Sequence, residues 1–192
     1  MKIAISSYSG SGATTAVNLL AKKLGLISIN YTLRNLAVDL NLDFEDIRIK
    51  SEKSPYYDYL LDSKQIELTK QDSWVMGSRL AIWLASNADK KIWLECPIEE
   101  RARRIAFREK WSFEKALEHT RQRDELNNAR YNRLYGIDVT SHDFVDCIVS
   151  TLAPPEEVVE KIIACKPRNL KPEIPNINDT ISRKLAEFNK TN

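Results

Sequence analysis

Short apolar runs alternate with amphipathic stretches along most of the chain. Runs at residues 2–6, 26–30, 73–77, 91–96 and 144–149 read as strands. Between them the spacing becomes helical. Ala16, Leu19, Leu20 and Leu24 recur on one face, and Gly25 closes that helix. Strands separated by helices predict an α/β fold: a parallel sheet with helices on both faces, and its functional site at the carboxyl ends of the strands. Two polar stretches interrupt the alternation. Residues 41–71 form a helical insertion with Asp58, Asp62 and Gln65 at helical spacing, and residues 110–136 form a second, charged helical insertion. After Cys165, Pro167, Pro172 and Pro175 mark an extended stretch, and residues 180–188 form a short amphipathic helix with Ile181, Leu185 and Phe188 on one face. The pattern divides the chain into a domain over 1–165 and a tail over 166–192, whose helix is expected to pack back on the body.

The first strand runs into a small-residue loop, Ser9-Gly10-Ser11-Gly12-Ala13-Thr14-Thr15, and then into a helix. This is the strand–loop–helix layout of a P-loop, whose pattern is Gly, four residues, Gly, Lys, then Ser or Thr. Gly12 and Thr14 fit it, while Ser7 stands at the first Gly and Ala13 at the Lys. Small residues let backbone N–H groups converge, and the helix start adds unpaired donors and the positive end of its dipole. The loop is therefore expected to hold phosphate without the usual cation. Thr14 stands where the motif places a hydroxyl for Mg²⁺. Two of the five glycines of the chain fall in this loop, which favours a phosphate cradle over a plain turn.

Composition adds mostly exclusions. At 192 residues, 43% hydrophobic and 29% charged, the chain suits one soluble globular domain. A net charge of +2 argues for neither nucleic acid nor membrane as a partner. Cys96, Cys147 and Cys165 lack metal-ligand spacing and are expected to be reduced core thiols. With the first strand starting at Lys2, no signal peptide is expected, and the chain reads as a cytoplasmic, monomeric enzyme.

Charge is distributed unevenly. Eight of the thirteen arginines fall between Arg101 and Arg133, against two lysines, Lys110 and Lys115. Arg101, Arg104 and Arg108 stand at i, i+3 and i+7, and Arg123, Asn127 and Arg130 repeat a helical spacing. Forked guanidinium groups suit phosphate oxygens, and phosphoryl transfer needs several cations around the moving group. The bland alternative is a solvated helix pair laced with Glu109, Glu114, Glu118 and Asp124.

On these residues the chain resembles the nucleoside monophosphate kinases, and most closely the short, archaeal-type cytidylate kinases. The likeness covers roughly residues 1–164. It is carried by the loop, by Arg34, Asp58, Asp62 and Gln65, by Ser78-Arg79-Leu80, and by the run from Arg101 to Glu109. Arg130-Tyr131 and Tyr135-Gly136-Ile137-Asp138 complete it. The resemblance implies a five-stranded parallel sheet, a monophosphate-binding insertion over about 41–71 and a lid over about 110–136. It implies ATP phosphates on Ser9 to Thr15 with Arg104 beside them, and Mg²⁺ bridging the phosphates near Thr14. CMP or dCMP would be bound by Arg34, Asp58 and Arg79, and Arg108, Arg123 and Arg130 would serve the transferred group. Departures from the family pattern stand at Ser7, Ala13, Gly77 and Asn127, the last two where acidic residues are expected. Alternatives to a cytidylate kinase are a nucleotide-binding protein without turnover, an interaction protein, or a kinase for another small acceptor.

Overall fold

The computed structural model describes residues 1–168 and 177–191. Five strands, β1 (Lys2–Ser7), β2 (Ile27–Ile29), β3 (Trp74–Gly77), β4 (Lys90–Glu95) and β5 (Cys147–Ser150), form one sheet in the order β2-β3-β1-β4-β5. All four pairings are parallel. Side chains alternate across the sheet as the pleat requires. Ile3, Ile5, Val75, Ile92 and Leu94 face one core, with Val17 and Leu20 of α1 (Ala13–Leu24) and Val158 and Ile162 of α8 (Pro155–Ala164). Ala4, Trp74, Met76 and Trp93 face the other, with Trp83 of α5 (Ala81–Leu84), Tyr135 and Phe144. Both faces are thus covered, which is why the strands read as nearly continuous apolar runs.

The stretches 41–71 and 110–136 are helical as expected, and each packs with a preceding helix around a small core. α2 (Leu33–Asp39), α3 (Phe44–Lys53) and α4 (Tyr56–Leu68) enclose Leu36, Ala37 and Ile47. α6 (Ile98–Glu109) packs along α7 (Phe113–Tyr135) around Ala102, Ile105 and Ala116. α7 starts at Ser112, whose side chain accepts from the Lys115 N–H, and stops at Gly136 in the left-handed region. The tail helix, α9 (Ile177–Thr191), is longer than the sequence pattern suggests, and it does pack back on the body. Part of the expected extended stretch, residues 169–176, lies outside the described residues. Among the described residues no helix is long and apolar enough to cross a membrane.

Two expectations are corrected. The last strand begins at Cys147, not at residue 144, because Phe144 leaves the sheet to meet the ring of Trp83. Asp146 then fastens the approach by accepting from the Lys91 N–H at 2.7 Å. The cysteines are also not all reduced: Cys147 and Cys165 form a disulfide, and Cys96 is the buried free thiol among the described residues. The start of β5 and the end of α8 lie side by side, with Cα atoms 6.2 Å apart, a proximity that sequence spacing does not reveal.

Closing a loop of 18 residues is worth roughly 3 kcal/mol in the chain-entropy description. Cys147→Ser should therefore lower the urea unfolding free energy of the oxidised protein by about that amount. With reductant present, wild type and variant should converge. A persistent gap would mean that the thiols stabilise by packing alone.

Candidate functional site

The carboxyl ends of β1, β2 and β3 open into one cleft, and its floor is the loop between β1 and α1. Gly10 has φ of +84° and Gly12 of +89°, conformations that L side chains rarely adopt. Space is tight as well: a Cβ on Gly10 would lie 3.0 Å from the Arg101 carbonyl oxygen. The loop closes by a Ser11 N–H to Tyr8 carbonyl bond of 3.3 Å, and the helix starts with Ala16 N–H on the Gly12 carbonyl at 3.0 Å. No side chain caps the first N–H groups of α1, whose first turn lines the cleft, an arrangement that holds anions.

Around this floor is a cavity of about 540 Å³. The structure brings to it Ser9, Gly10, Ser11, Gly12, Ala13, Thr14 and Thr15, together with Arg79, Arg104, Arg108 and Arg123. Four arginines line it, Arg108 with its Nε on Glu109 at 2.8 Å, and among the described lining residues there is no carboxylate. Arg79 rests on the loop itself, donating from Nη2 to Ser9 Oγ at 2.5 Å. Burial, and after it the charges of Arg79 and Arg108, push Arg123 below its ordinary value. Crowded cations of this kind are relieved when an anion enters.

Arg104 stands beside the loop, its Nη1 3.8 Å from where a Cβ on Gly12 would lie. Its Nη2 donates to the Thr151 carbonyl at 2.7 Å, and its Nε bonds Glu100 at 3.0 Å. There it forms one wall of a side pocket of about 330 Å³, with Ala16, Ala153, Pro155 and Val158 as apolar walls. On the opposite side a second cavity of about 490 Å³ joins the first, sharing Arg79 and Arg123 with it. Arg34 lines this one, its guanidinium stacked 3.9 Å over the Phe44 ring. Tyr31, Asp62, Gln65 and Tyr131 complete the walls that matter chemically.

Two expected site residues stand elsewhere. Arg130 lines neither cavity. It donates to Asp58 Oδ2 at 2.5 Å and to the Ser51 carbonyl at 2.8 Å. Asp58 is likewise spent on this pair, so the two residues bolt α7 to the insertion. Arg101, on the same helix as Arg104 and Arg108, is 4% exposed and turned inward. It binds Asp124 at 2.7 Å, the Cys96 carbonyl at 3.2 Å and the Ser9 carbonyl at 3.3 Å.

Sequence reasoning passed over Asn30 and Thr32, which line the first cavity, although the rule of strand carboxyl ends points to Asn30. It also chose Asp58 over Asp62, its neighbour one turn on. Asp62 is the carboxyl that reaches the second cavity, and it accepts a 2.5 Å bond from the Tyr135 hydroxyl. Burial pushes Asp62 up to about 7, against the opposing pull of that hydrogen bond. Gln65 donates from Nε2 to the Tyr31 carbonyl at 2.9 Å, which leaves its buried Oε1 without a partner among the described residues.

The model of the cytidylate kinase-like family matches residues 2–152. Cytidylate kinase of Thermococcus kodakarensis is 39% identical over 151 residues, 78% of this chain and 78% of that protein. Cytidylate kinase of Pyrococcus horikoshii is 35% identical over 187 residues, covering 96% and 95%. Cytidylate kinase 2 of Borreliella burgdorferi is 38% identical over 167 residues, covering 84% and 93%. Among solved structures, a shikimate kinase of Bacteroides thetaiotaomicron superposes with a TM-score of 0.57 at 14% identity, over 83% of this chain and 94% of that one. A gluconokinase of Sinorhizobium meliloti gives 0.56 at 14%, over 99% and 96%. At that identity the two structures speak for the fold alone.

Asp62 makes stability depend on pH. In the unfolded chain a carboxyl ionises near ~4, so between there and about 7 the native state keeps a proton that the unfolded state has lost. Its contribution is therefore most favourable below the unfolded value and declines as pH rises to about 7. Urea unfolding at pH 5 and pH 8 should show wild type losing more stability than Asp62→Asn. Equal losses would place the titration on another group.

Proposed function

We propose, for a chain that belongs to the cytidylate kinase-like family, that it transfers the terminal phosphoryl group of ATP to CMP or dCMP. One observation carries this reading: a cradle of backbone N–H groups ringed by four arginines opens directly into a second cavity through Arg79 and Arg123. ATP phosphates lie on Ser9 to Thr15. The adenine lies in the side pocket of Arg104, Ala153 and Pro155. The acceptor lies in the second cavity, with its phosphate toward Arg34 and Arg79. Cytosine is favoured by Gln65, because an unpaired buried acceptor is satisfied by an exocyclic amino group and not by a carbonyl oxygen. These substrates belong to the cytoplasm, where we place the protein.

The acceptor phosphate is already an anionic nucleophile, so no general base is required. Catalysis is then alignment of the two phosphates and stabilisation of charge in flight. Arg123 and Arg108 reach the meeting point from the lid side. Arg79 reaches it from the sheet, docked on Ser9, and so supplies at the loop the cation that Ala13 does not. A protein that only held nucleotide would have no use for so dense a set of cations.

The residues suit Mg²⁺ arriving on ATP. Thr14 offers an exposed hydroxyl at the loop, whereas the described cavity lining has no carboxylate that would hold the ion without the nucleotide. Gly77, where the family carries an acid, is closed to one: a Cβ there would lie 2.6 Å from a Val17 methyl. Bound with ATP, the ion would neutralise phosphate charge, with Thr14 as its protein ligand.

A coupled ADP-release assay over CMP, dCMP, UMP, AMP and shikimate should give the highest kcat/KM with CMP or dCMP. A preference for AMP or shikimate would end the cytidylate assignment, and no turnover with any acceptor would end the enzyme.

Arginine substitutions should separate the roles. Arg123→Ala is expected to lower kcat by roughly 10²-fold with little change in ATP affinity. Arg130→Ala should act mainly on stability, through the stranded Asp58. If Arg79 replaces the loop lysine, Ala13→Lys should restore part of the ATP affinity lost in Arg79→Ala. No recovery in the double variant would confine Arg79 to the acceptor side.

A further inference from the structure

Helix α4 has two working sides. One presents Asp62 and Gln65 to the second cavity. The other packs against α9. Apolar residues run around α4: Leu60 and Leu61 enter the insertion's own core, while Tyr59, Ile66 and Leu68 join the main one. A helix that is apolar on several sides needs backing on several sides. No strand of the sheet belongs to the insertion, so that backing has to come from helices.

α9 supplies it from outside residues 2–152, the segment the family model matches. Ile177 and Ile181, 2% and 1% exposed, sink into the main core, with Leu185 and Phe188 packed behind them. Asn178 fastens the start of the helix by donating to the Leu84 carbonyl at 3.2 Å. From there a line of aromatic contacts leads to the cavity wall. Phe188 meets Tyr56 with centroids 5.6 Å apart and Tyr59 at 6.3 Å. Tyr59 meets Tyr135 edge-on at 5.7 Å. The Tyr135 hydroxyl holds Asp62 at 2.5 Å, and Asp62 is the wall.

We propose that α9 is a positioning element of the acceptor site: through Phe188, Tyr59 and Tyr135 it sets Asp62 and the cavity face of α4. The inference rests on the acceptor reading given above and deepens it. Rings at these distances are in van der Waals contact, and a buried hydroxyl–carboxyl bond fixes the last link. Removing the Phe188 ring frees Tyr59 to move, then Tyr135, then Asp62. None of these ring contacts reaches the loop at residues 9–15, so donor binding should not follow.

Calorimetry on the full chain, titrating CMP and ATP separately, tests this. Phe188→Ala should weaken CMP binding about tenfold, in line with the sensitivity of positioned groups to small displacements, while ATP affinity stays within about twofold. Phe188→Tyr, which keeps the ring, should bind CMP like wild type. Ile162→Val, a core cut on the other face of the sheet, should lose stability without losing CMP. Should Phe188→Ala fail to fold, Phe188→Leu takes its place with the same expected pattern at smaller size. Unchanged CMP affinity in a folded variant, equal losses of CMP and ATP, or the same CMP loss in Ile162→Val would each overturn the proposal. A wild type that binds no CMP would instead overturn the acceptor reading, and this inference with it.

Discussion

A charge removed from water has to be paired, and in this protein the buried guanidinium of Arg101 imposes that demand at the centre of the machine. It is satisfied by groups from three elements: the Cys96 carbonyl after β4, the Ser9 carbonyl in the phosphate loop and the Asp124 carboxylate on α7. Its guanidinium also lies over the Tyr8 ring, 5.0 Å from the centroid. The loop cannot relax without unpairing it, and neither can α7. Gly10 belongs to the same constraint, since any side chain there would press on the Arg101 backbone.

With that knot in place, the cleft follows. The loop stays open to anions, and α6 and α7 project Arg104, Arg108 and Arg123 over it. Two departures from the family pattern then fall into a consistent picture. Without a lysine at Ala13, Arg79 lies against the loop from the end of β3. Without an acid at Gly77, a Val17 methyl occupies the space where its side chain would begin. The charged groups lining the cleft are then guanidinium groups alone among the described lining residues.

The insertion has a different logic. Two of its attachments to the rest of the protein differ in chemistry: the Arg130–Asp58 ion pair toward α7 and the aromatic packing toward α9. The first is polar and partly open to solvent; the second buries Tyr59 and Tyr135 and leaves Tyr56 and Phe188 partly covered. Arg130, expected at the transferred group, is paired here with Asp58, and a tail helix beyond the matched family segment packs on α4.

Much of the fold was legible because it depends on local periodicity. Alternation across buried strands, helical spacing after the loop and the glycine stops at Gly25 and Gly136 are short-range properties, and they located the sheet, both insertions and the cradle. The loop conformation at residues 9–15 was equally legible, because backbone conformation and small side chains are written in consecutive residues. What spacing could not determine was direction. Arg101 and Arg104 lie on neighbouring faces of one helix, yet one is buried against Asp124 and the other lines the cleft; Asp58 and Asp62 differ by one turn, yet the first meets Arg130 and the second meets the cavity. The Cys147–Cys165 bond, the packing of α9 on α4 and the docking of Arg79 on Ser9 join residues far apart in the chain. The sequence alone determined which elements form and where phosphate chemistry is possible, since both rest on neighbours a few residues apart. Which arginine is free to meet a phosphate was decided only by the tertiary structure, because a charge takes its role from the partners that folding places around it.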